Sequence, residues 1–386
     1  MLSWLLLPFS GLYGFILTIR NWLYDNNLFK SVQPETYTLS VGNLTVGGTG
    51  KTPMIEFLIE RQRTIFGQIP DQTGHDPAKR PLATVSRGYG RQTRGFRIAT
   101  DSDTATTIGD EPLQIYRKFR AEVRVCVGER RVAAIQQLTE QHPETQLVLL
   151  DDAFQHRAVR PHLSLMLMDI NRPFYEDHPF PAGRLRERRQ GANRADAIIV
   201  TKSPLDLSTG RQQRITEQIR RYTRPGTPVF FSGLQYGKPA AFTGTVSFPS
   251  FSSEVDASYI GAFREATFGS TFPERVRLVS GLANADPLER YVRQHFTLVT
   301  HDRFADHYAY TRADVTRLIR DLKPGEAILT TEKDWVKLAA LLTPAEWQFV
   351  PFFYLPITVQ FLPASAAAFE QFLRQTVDLS ADEQAL

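Results

Sequence analysis

The stretch Thr36-Tyr-Thr-Leu-Ser-Val-Gly-Asn-Leu-Thr-Val-Gly-Gly-Thr-Gly-Lys-Thr-Pro53 passes from an alternating, β-prone segment into a glycine-rich turn that ends in Gly50-Lys51-Thr52. Strand, flexible turn and helix start, in that order, make a phosphate-gripping loop. Gly47, Gly48 and Gly50 let the backbone curl with several N–H groups inward, where they surround phosphate oxygens at a helix N-terminus. Residues Thr45, Val46, Gly47, Gly48, Thr49, Gly50, Lys51 and Thr52 are therefore expected to hold a nucleoside triphosphate, with Lys51 on the β/γ-phosphates and the Thr52 hydroxyl on Mg²⁺. Pro53 suits the first helical turn, where its missing N–H has no intrahelical partner. The pattern G-x-x-x-x-G-K-[ST] asks for glycine at position 45, where this chain has Thr45; the nearest upstream glycine is Gly42. The loop alone does not separate ATP from GTP.

Outward from this loop, short β-branched runs alternate with helical patterns. The runs are Leu82 to Ser86, Val123 to Val127, Leu147 to Leu150, Leu163 to Met168, Ala197 to Thr201 and Pro228 to Phe231. Such alternation predicts a mostly parallel sheet with helices on both faces, a P-loop NTPase-like α/β fold whose ligands sit beyond the C-terminal strand ends. A second, smaller α/β set follows. It comprises a strand over Val276 to Ser280, a helix from Pro287, a strand from Phe296 to Val299, and a helix from Arg312 to Leu322 with Thr311 as N-cap. A strand over Ala327 to Thr330 and a helix from Glu332 to Leu342 complete it. Trp347 to Phe353 and Ile357 to Phe361 read as strands returning to pair with Pro228 to Phe242, a two-stranded linker. The expected organisation is a membrane-associated N-terminal helix (1–30), a P-loop domain (31–227) and a C-terminal α/β domain (228–386). A polar loop over Pro70 to Arg80 and a Ser/Phe/Thr/Gly-rich insertion over 243–274 interrupt it.

With 386 residues the chain exceeds one ordinary core. Its net charge of +4 does not imply a polyanion-coating surface, and no nucleic-acid module is present. A single cysteine, Cys126, rules out an intrachain disulfide framework and suits a reducing compartment. Spacings such as C-x-x-C or H-E-x-x-H are absent. Leu2 to Ile19 carries no charge. At the lower limit for spanning a bilayer, and weakened by Pro8, Gly11 and Gly14, the run reads as a membrane anchor or a partly embedded amphipathic helix. Trp4, Tyr13, Trp22 and Tyr24 are expected interfacial anchors. A helix packed on the protein's own core is the alternative.

Asp151-Asp152 follows the buried run Leu147 to Leu150, where a P-loop fold places the acid that holds Mg²⁺; the plainer reading is a helix N-cap. Asp169, closing the next strand, is the backup metal ligand. Asp110, in Gly109-Asp-Glu-Pro112 ahead of a helix over Pro112 to Phe119, reads as an N-cap or as a base accepting the proton of an attacking hydroxyl. His307, in Phe304-Ala-Asp-His307, belongs to the second set and either completes such a base by hydrogen-bonding it across the cleft or, as an Asp-His pair in a loop commonly does, plays a structural part. Arginines concentrate over Arg80 to Arg97 and Arg184 to Arg194, either as solvated faces or as grips on a phosphoryl group or anionic headgroup.

These motifs together resemble the tetraacyldisaccharide 4′-kinase family of lipid A biosynthesis. The likeness extends over most of the chain: Leu5-Leu-Leu-Pro-Phe-Ser-Gly-Leu-Tyr-Gly14, the loop itself, Ser86-Arg-Gly-Tyr-Gly90, Gly109 to Pro112, and Asp151-Asp-Ala-Phe-Gln-His-Arg157. It continues through Pro181-Ala-Gly-Arg-Leu-Arg-Glu187, Gly281-Leu-Ala-Asn284, Phe304 to His307 and Thr331-Glu-Lys-Asp334. The family's loop likewise lacks the glycine missing at position 45. The resemblance implies ATP and Mg²⁺, a lipid disaccharide 1-phosphate substrate at the inner membrane, and a base formed by Asp110 with His307. It also implies metal contacts from Thr52, Asp151, Asp152, Glu111 and Gln155, and substrate contacts from Arg87, Arg186, Glu187 and Asn43. The chain departs from the family pattern at Ala153 (usually glycine), Arg184 (usually proline) and Tyr308 (commonly a second histidine). A kinase for another glycolipid or polyisoprenoid alcohol, or a membrane-tethered NTPase switch or assembly factor, would share the loop. Acceptor-dependent ADP release separates these readings.

Overall fold

Buried along almost its whole length, Tyr37–Asn43 (β1) is the middle strand of a nine-stranded sheet in the computed structural model, which describes residues 6–65, 81–240 and 273–384. The other strands in chain order are β2 (Leu82–Ser86), β3 (Arg97–Ile98), β4 (Val123–Val127), β5 (Leu147–Asp151), β6 (Leu163–Asp169), β7 (Ala197–Thr201) and β8 (Val229–Tyr236). Then come β9 (Arg275–Ser280), β10 (Thr297–Arg303), β11 (Glu326–Thr331), β12 (Phe352–Leu355) and β13 (Ile357–Phe361). The large sheet runs β13-β8-β7-β6-β1-β5-β2-β4-β3 and is parallel except at its two edge strands, β3 and β13. Its interior strands are near-continuous apolar runs because both faces are covered. Registers such as Leu39 beside Leu149 and Leu163 bring the ends of β5 and β6 to either side of the turn that leaves β1. That crevice is where an open α/β sheet binds its ligands.

The smaller sheet, β10-β9-β11-β12, is wholly parallel. Alternation divides its side chains: Val279 and Ile328 enter one core, Leu278 and Leu329 the other. The aromatic run at Trp347 is not the start of a returning strand. Thr343, Pro344 and Glu346 build a capping box, so Pro344–Phe349 is helical and only Phe352–Leu355 is extended. That strand pairs with β11 inside the small sheet, and β13 alone crosses back to β8. The last helix, Pro363–Gln384, also packs on the large sheet through Phe369 and Leu373. The polar loop up to Arg80 and nearly all of the 243–274 insertion lie outside the described residues.

Four helices shape the cleft: α1 (Leu7–Asp25), α2 (Lys51–Ile65), α3 (Ala105–Ile108) and α4 (Asp110–Phe119). The helix expected from Pro112 starts two residues earlier, and Gly109, not Asp110, is its N-cap. A buried ion cluster ties α2 and α4 to the helix Glu332–Ala339 of the smaller half. Lys118 Nζ lies 2.7 Å from Glu56 and 3.3 Å from Glu332, and Gln114 donates to Glu56 at 2.7 Å. Burial pushes Glu56 up to about 7 against the pull of Lys118. Lys118→Met strands Glu56 beside Glu332, so a loss of about 3 kcal/mol is expected, seen as a lower urea midpoint. An unchanged midpoint would mean the cluster does not hold the halves together.

Candidate active site

The loop after β1 is tied down on three sides. Asn43 Nδ2 donates to Thr49 Oγ1 at 2.8 Å from within, and Gly47 and Gly50 take φ of 115° and 87°, which only glycine adopts readily. On one flank the Pro181–Glu187 segment runs alongside: Val46 N–H donates to the Arg184 carbonyl at 2.8 Å and Arg186 N–H to the Leu44 carbonyl at 2.7 Å. On the other, the end of β7 reaches the loop through Thr201 and Lys202.

Lys51 opens α2 with its ammonium 3.6 Å from Asp152. Asp152 has φ of 51° and receives Arg186 Nη1 at 2.8 Å on each oxygen. Burial would raise its carboxyl, but Lys51 and then Arg186 hold it below the usual range. Asp151, the last residue of β5, differs. It is pushed up to about 7 by burial and then by the charges of Glu111 and Asp152, with Lys51 opposing, and its buried Oδ1 has no hydrogen-bond partner. An orphaned, charge-crowded oxygen beside a phosphate loop suits a divalent cation. Among the described residues no cage of three or more His, Cys, Asp or Glu side chains closes on one point. Mg²⁺ takes one or two carboxylates and completes its shell with water and substrate phosphates.

Gln155 and Glu187 are arranged otherwise than expected. The Gln155 amide donates to the Asn43 carbonyl (2.8 Å) and to Glu187 (3.1 Å). Glu187 is buried and also receives Arg194 (2.7 Å) and Asn21 (2.9 Å), so its oxygens hold the site's frame and do not face the cleft. Asn43 is fully buried with Oδ1 unpartnered, and Arg87 is exposed, its charge adding to the burial that lowers Arg131 and His156. Asp169 is not open to a metal: Lys202 Nζ sits 2.6 Å from it.

The second half of the site comes from residues 197 apart: His307 Nδ1 lies 2.9 Å from Asp110 Oδ2. Two backbone close approaches set this up. A Cβ on Gly109 would fall 2.9 Å from the Tyr89 carbonyl, and one on Gly88 would fall 2.7 Å from the Ile108 carbonyl. The Ser86–Gly90 turn thus lies directly on the start of α4, and the Tyr89 ring meets His307 edge-on at 5.4 Å. His307 has φ of 57°, a strained choice for a non-glycine residue, kept in place by its partners. Lys333 Nζ lies 3.2 Å from His307 Nε2, and a lysine ammonium only donates, so in the neutral imidazole the proton belongs on Nδ1, facing Asp110, whose hydrogen bond also raises His307 above its ordinary range. Burial alone would raise Asp110; the His307 hydrogen bond and the charges of Lys333 (4.0 Å) and Lys337 (3.8 Å) hold it lower. Tyr308, in the place of a second histidine, packs on Phe304 and Tyr310, and its carbonyl takes Lys337 at 3.1 Å. Glu111, next to Asp110 in the chain, is near enough to Asp151 for its charge to add to the burial that raises that carboxyl.

Helix α1 is docked on this cleft. Ser10 accepts from Ala182 N–H (2.8 Å), Tyr13 donates to the Arg186 carbonyl (3.3 Å), and Arg20 donates to the Gln155 carbonyl (3.1 Å). Tyr13 and Tyr24 therefore face protein, the latter under Arg20 and Arg157; Trp22 is the exposed aromatic of the expected anchors, and Trp4 lies outside the described residues. The opposite face presents Phe9, Leu12, Phe15, Ile16, Ile19 and Trp22 to solvent. Among the described residues no helix is long and apolar enough to cross a membrane.

A family model for tetraacyldisaccharide-1-P 4′-kinase matches residues 2–378. The tetraacyldisaccharide 4′-kinase of Cytophaga hutchinsonii is 37% identical, with 90% of each chain covered. That of Bacteroides thetaiotaomicron is 36% identical, covering 95% of this chain and 91% of the relative. The crystal structure of LpxK from Aquifex aeolicus in complex with ATP superimposes with a TM-score of 0.66 at 25% identity, covering 97% of this chain and 99% of that one. With a family match over nearly its full length, the chain belongs to the tetraacyldisaccharide-1-P 4′-kinase family.

Proposed function

We propose that this protein transfers the γ-phosphoryl group of ATP to the 4′-hydroxyl of a tetraacylated glucosamine disaccharide 1-phosphate, giving a bisphosphorylated lipid A precursor. The observation that carries this reading is the meeting of Asp110 and His307 in the cleft of a phosphate loop, because a bare NTPase switch needs no base for an alcohol. Loop N–H groups and Lys51 hold the triphosphate tail. Thr52 and Asp151, with Asp152 and Glu111 beside them, are the residues to hold Mg²⁺, which when bound neutralises charge on the β- and γ-oxygens. Asp110 takes the acceptor proton while His307 Nδ1–H steadies the carboxylate, and Lys333 keeps that proton on Nδ1. Arg87 is the remaining candidate for substrate contact; Asn43, buried and bonded to Thr49, belongs with Gln155 and Glu187 to the frame, and Arg186 positions Asp152. The same reading divides the chain into an N-terminal helix, a P-loop domain over 31–227 to which β8, β13 and the last helix return, and a smaller C-terminal α/β part built on β9 to β12. Acceptor-dependent release of ADP from ATP tests it; ADP release indifferent to the lipid would contradict it.

The reading extends to the cytoplasmic face of the inner membrane. Phe9, Leu12, Ile16 and Ile19 repeat at helical spacing on the solvent side of α1, an amphipathic stripe suited to lying in a bilayer interface, and Arg184 and Arg188 are exposed near its inner face. Deleting α1 would also strip Ser10, Tyr13, Arg20 and Asn21 from the catalytic frame, so point changes give the cleaner test. Leu12→Asp with Ile16→Asp is expected to release the protein from vesicles and raise apparent KM for bilayer lipid by about tenfold or more, with KM for ATP unchanged. Full vesicle binding by that variant would show that the stripe does not meet the membrane.

A further inference from the structure

Lys202 follows β7 with its backbone at φ 55°, in the left-handed region where a non-glycine residue sits at a cost. Both neighbours pin it there. Thr201 and Ser203 are buried; Ser203 N–H donates to the Ser232 carbonyl at 2.9 Å and Ser203 Oγ to the Val200 carbonyl at 3.0 Å. So aimed, the Lys202 ammonium reaches two acceptors, Asp169 Oδ2 at 2.6 Å and the Gly48 carbonyl at 2.5 Å. Thr201 Oγ1 takes the next carbonyl of the loop, that of Thr49, at 2.8 Å.

In a trans peptide the C=O and the following N–H point in opposite directions. Fixing the Gly48 carbonyl towards Lys202 therefore turns the Thr49 N–H away from β7, and fixing the Thr49 carbonyl does the same for the Gly50 N–H. These two donors lie just before Lys51, in the part of the loop that closes around phosphate. A loop with glycines at 47, 48 and 50 has many other conformations available, so an outside brace on its carbonyls selects the binding one. A lysine serving only as the partner of Asp169 would not need the Gly48 carbonyl.

We propose that Lys202, seconded by Thr201, is a positioning residue for the nucleotide: it holds the loop's carbonyls outward so that the Thr49 and Gly50 N–H groups face the phosphates. This rests on the reading of the loop as the ATP site. The test uses the full-length protein with ADP titrations and steady-state kinetics on Lys202→Met, Lys202→Arg, Thr201→Val and Lys51→Ala. Lys202→Met is expected to raise Kd for ADP and KM for ATP on the order of tenfold, with KM for the lipid unchanged and kcat at saturating ATP within about threefold. Lys202→Arg recovers most of the affinity, and Thr201→Val acts in the same direction as Lys202→Met. If Lys202→Met leaves ADP affinity intact while Lys51→Ala abolishes turnover, the inference is wrong and the ATP-site reading stands. Parallel changes in lipid KM, ATP KM and kcat without rescue by arginine overturn it too, since they indicate general damage. If the unaltered protein binds no ADP, the site reading fails and the inference with it.

Discussion

Lys51→Ala is expected to reduce phosphoryl transfer by at least about 10²–10³-fold, because it removes a fixed positive charge from the place where charge shifts towards the leaving phosphate. The fold should tolerate the change. Lys51 heads α2 with its side chain aimed at Asp152, and Arg186 still binds both oxygens of that carboxylate when the lysine is gone. Turnover measured on protein with an unaltered melting temperature is the check. Near-normal turnover by that folded variant would remove the loop from the active site.

Asp110→Asn is the second large effect, with kcat down by roughly 10²-fold or more while ADP binding survives. Asparagine matches the shape and still meets His307, yet it takes no proton. His307→Ala should act in the same direction, and the double variant should be far less impaired than the product of the single effects, since the two side chains form one unit 2.9 Å apart. The pH profile adds a signed test. The His307 hydrogen bond is the main influence holding Asp110 below its ordinary range against burial, so His307→Ala raises the Asp110 carboxyl and moves the acid limb of kcat/KM to higher pH. Fully multiplicative losses, with the acid limb unmoved, would assign His307 to something separate such as substrate binding.

What the chain discloses before folding depends on how local the chemistry is. The phosphate loop is legible because strand, glycines, lysine and threonine are contiguous, and its neighbour Asp151 is legible as the polar end of an apolar run. The meeting of Asp110 with His307 is not local: no spacing rule joins residues 197 apart, and the chain offers the pairing only as one of two readings until the resemblance to a family implies it. Lys202 and Lys337 carry no sequence signal as cleft residues, and Lys333 only its place in the motif Thr331-Glu-Lys-Asp334. A lysine after a strand or early in a helix is ordinary, and it becomes informative only when its ammonium is found on Gly48, His307 or Asp110. Glu187 and Gln155 look like site residues by motif, yet burial of the first and the hydrogen bonds of the second turn them into its frame. At Trp347 a capping box outweighs the β-preference of the aromatics. In α1 the apolar run reads as one block, whereas Ser10 and Gly14 mark the face that docks on the protein and leave Phe9, Leu12, Ile16 and Ile19 outside.

The most direct test of the account incubates the full-length protein with γ-labelled ATP, Mg²⁺ and tetraacyldisaccharide 1-phosphate in vesicles and follows the label. The account predicts label on the lipid at the 4′ position, forming only with acceptor present, one ADP for each doubly phosphorylated product, and loss of both in Asp110→Asn. Label appearing as free phosphate at the same rate with or without the lipid would contradict it.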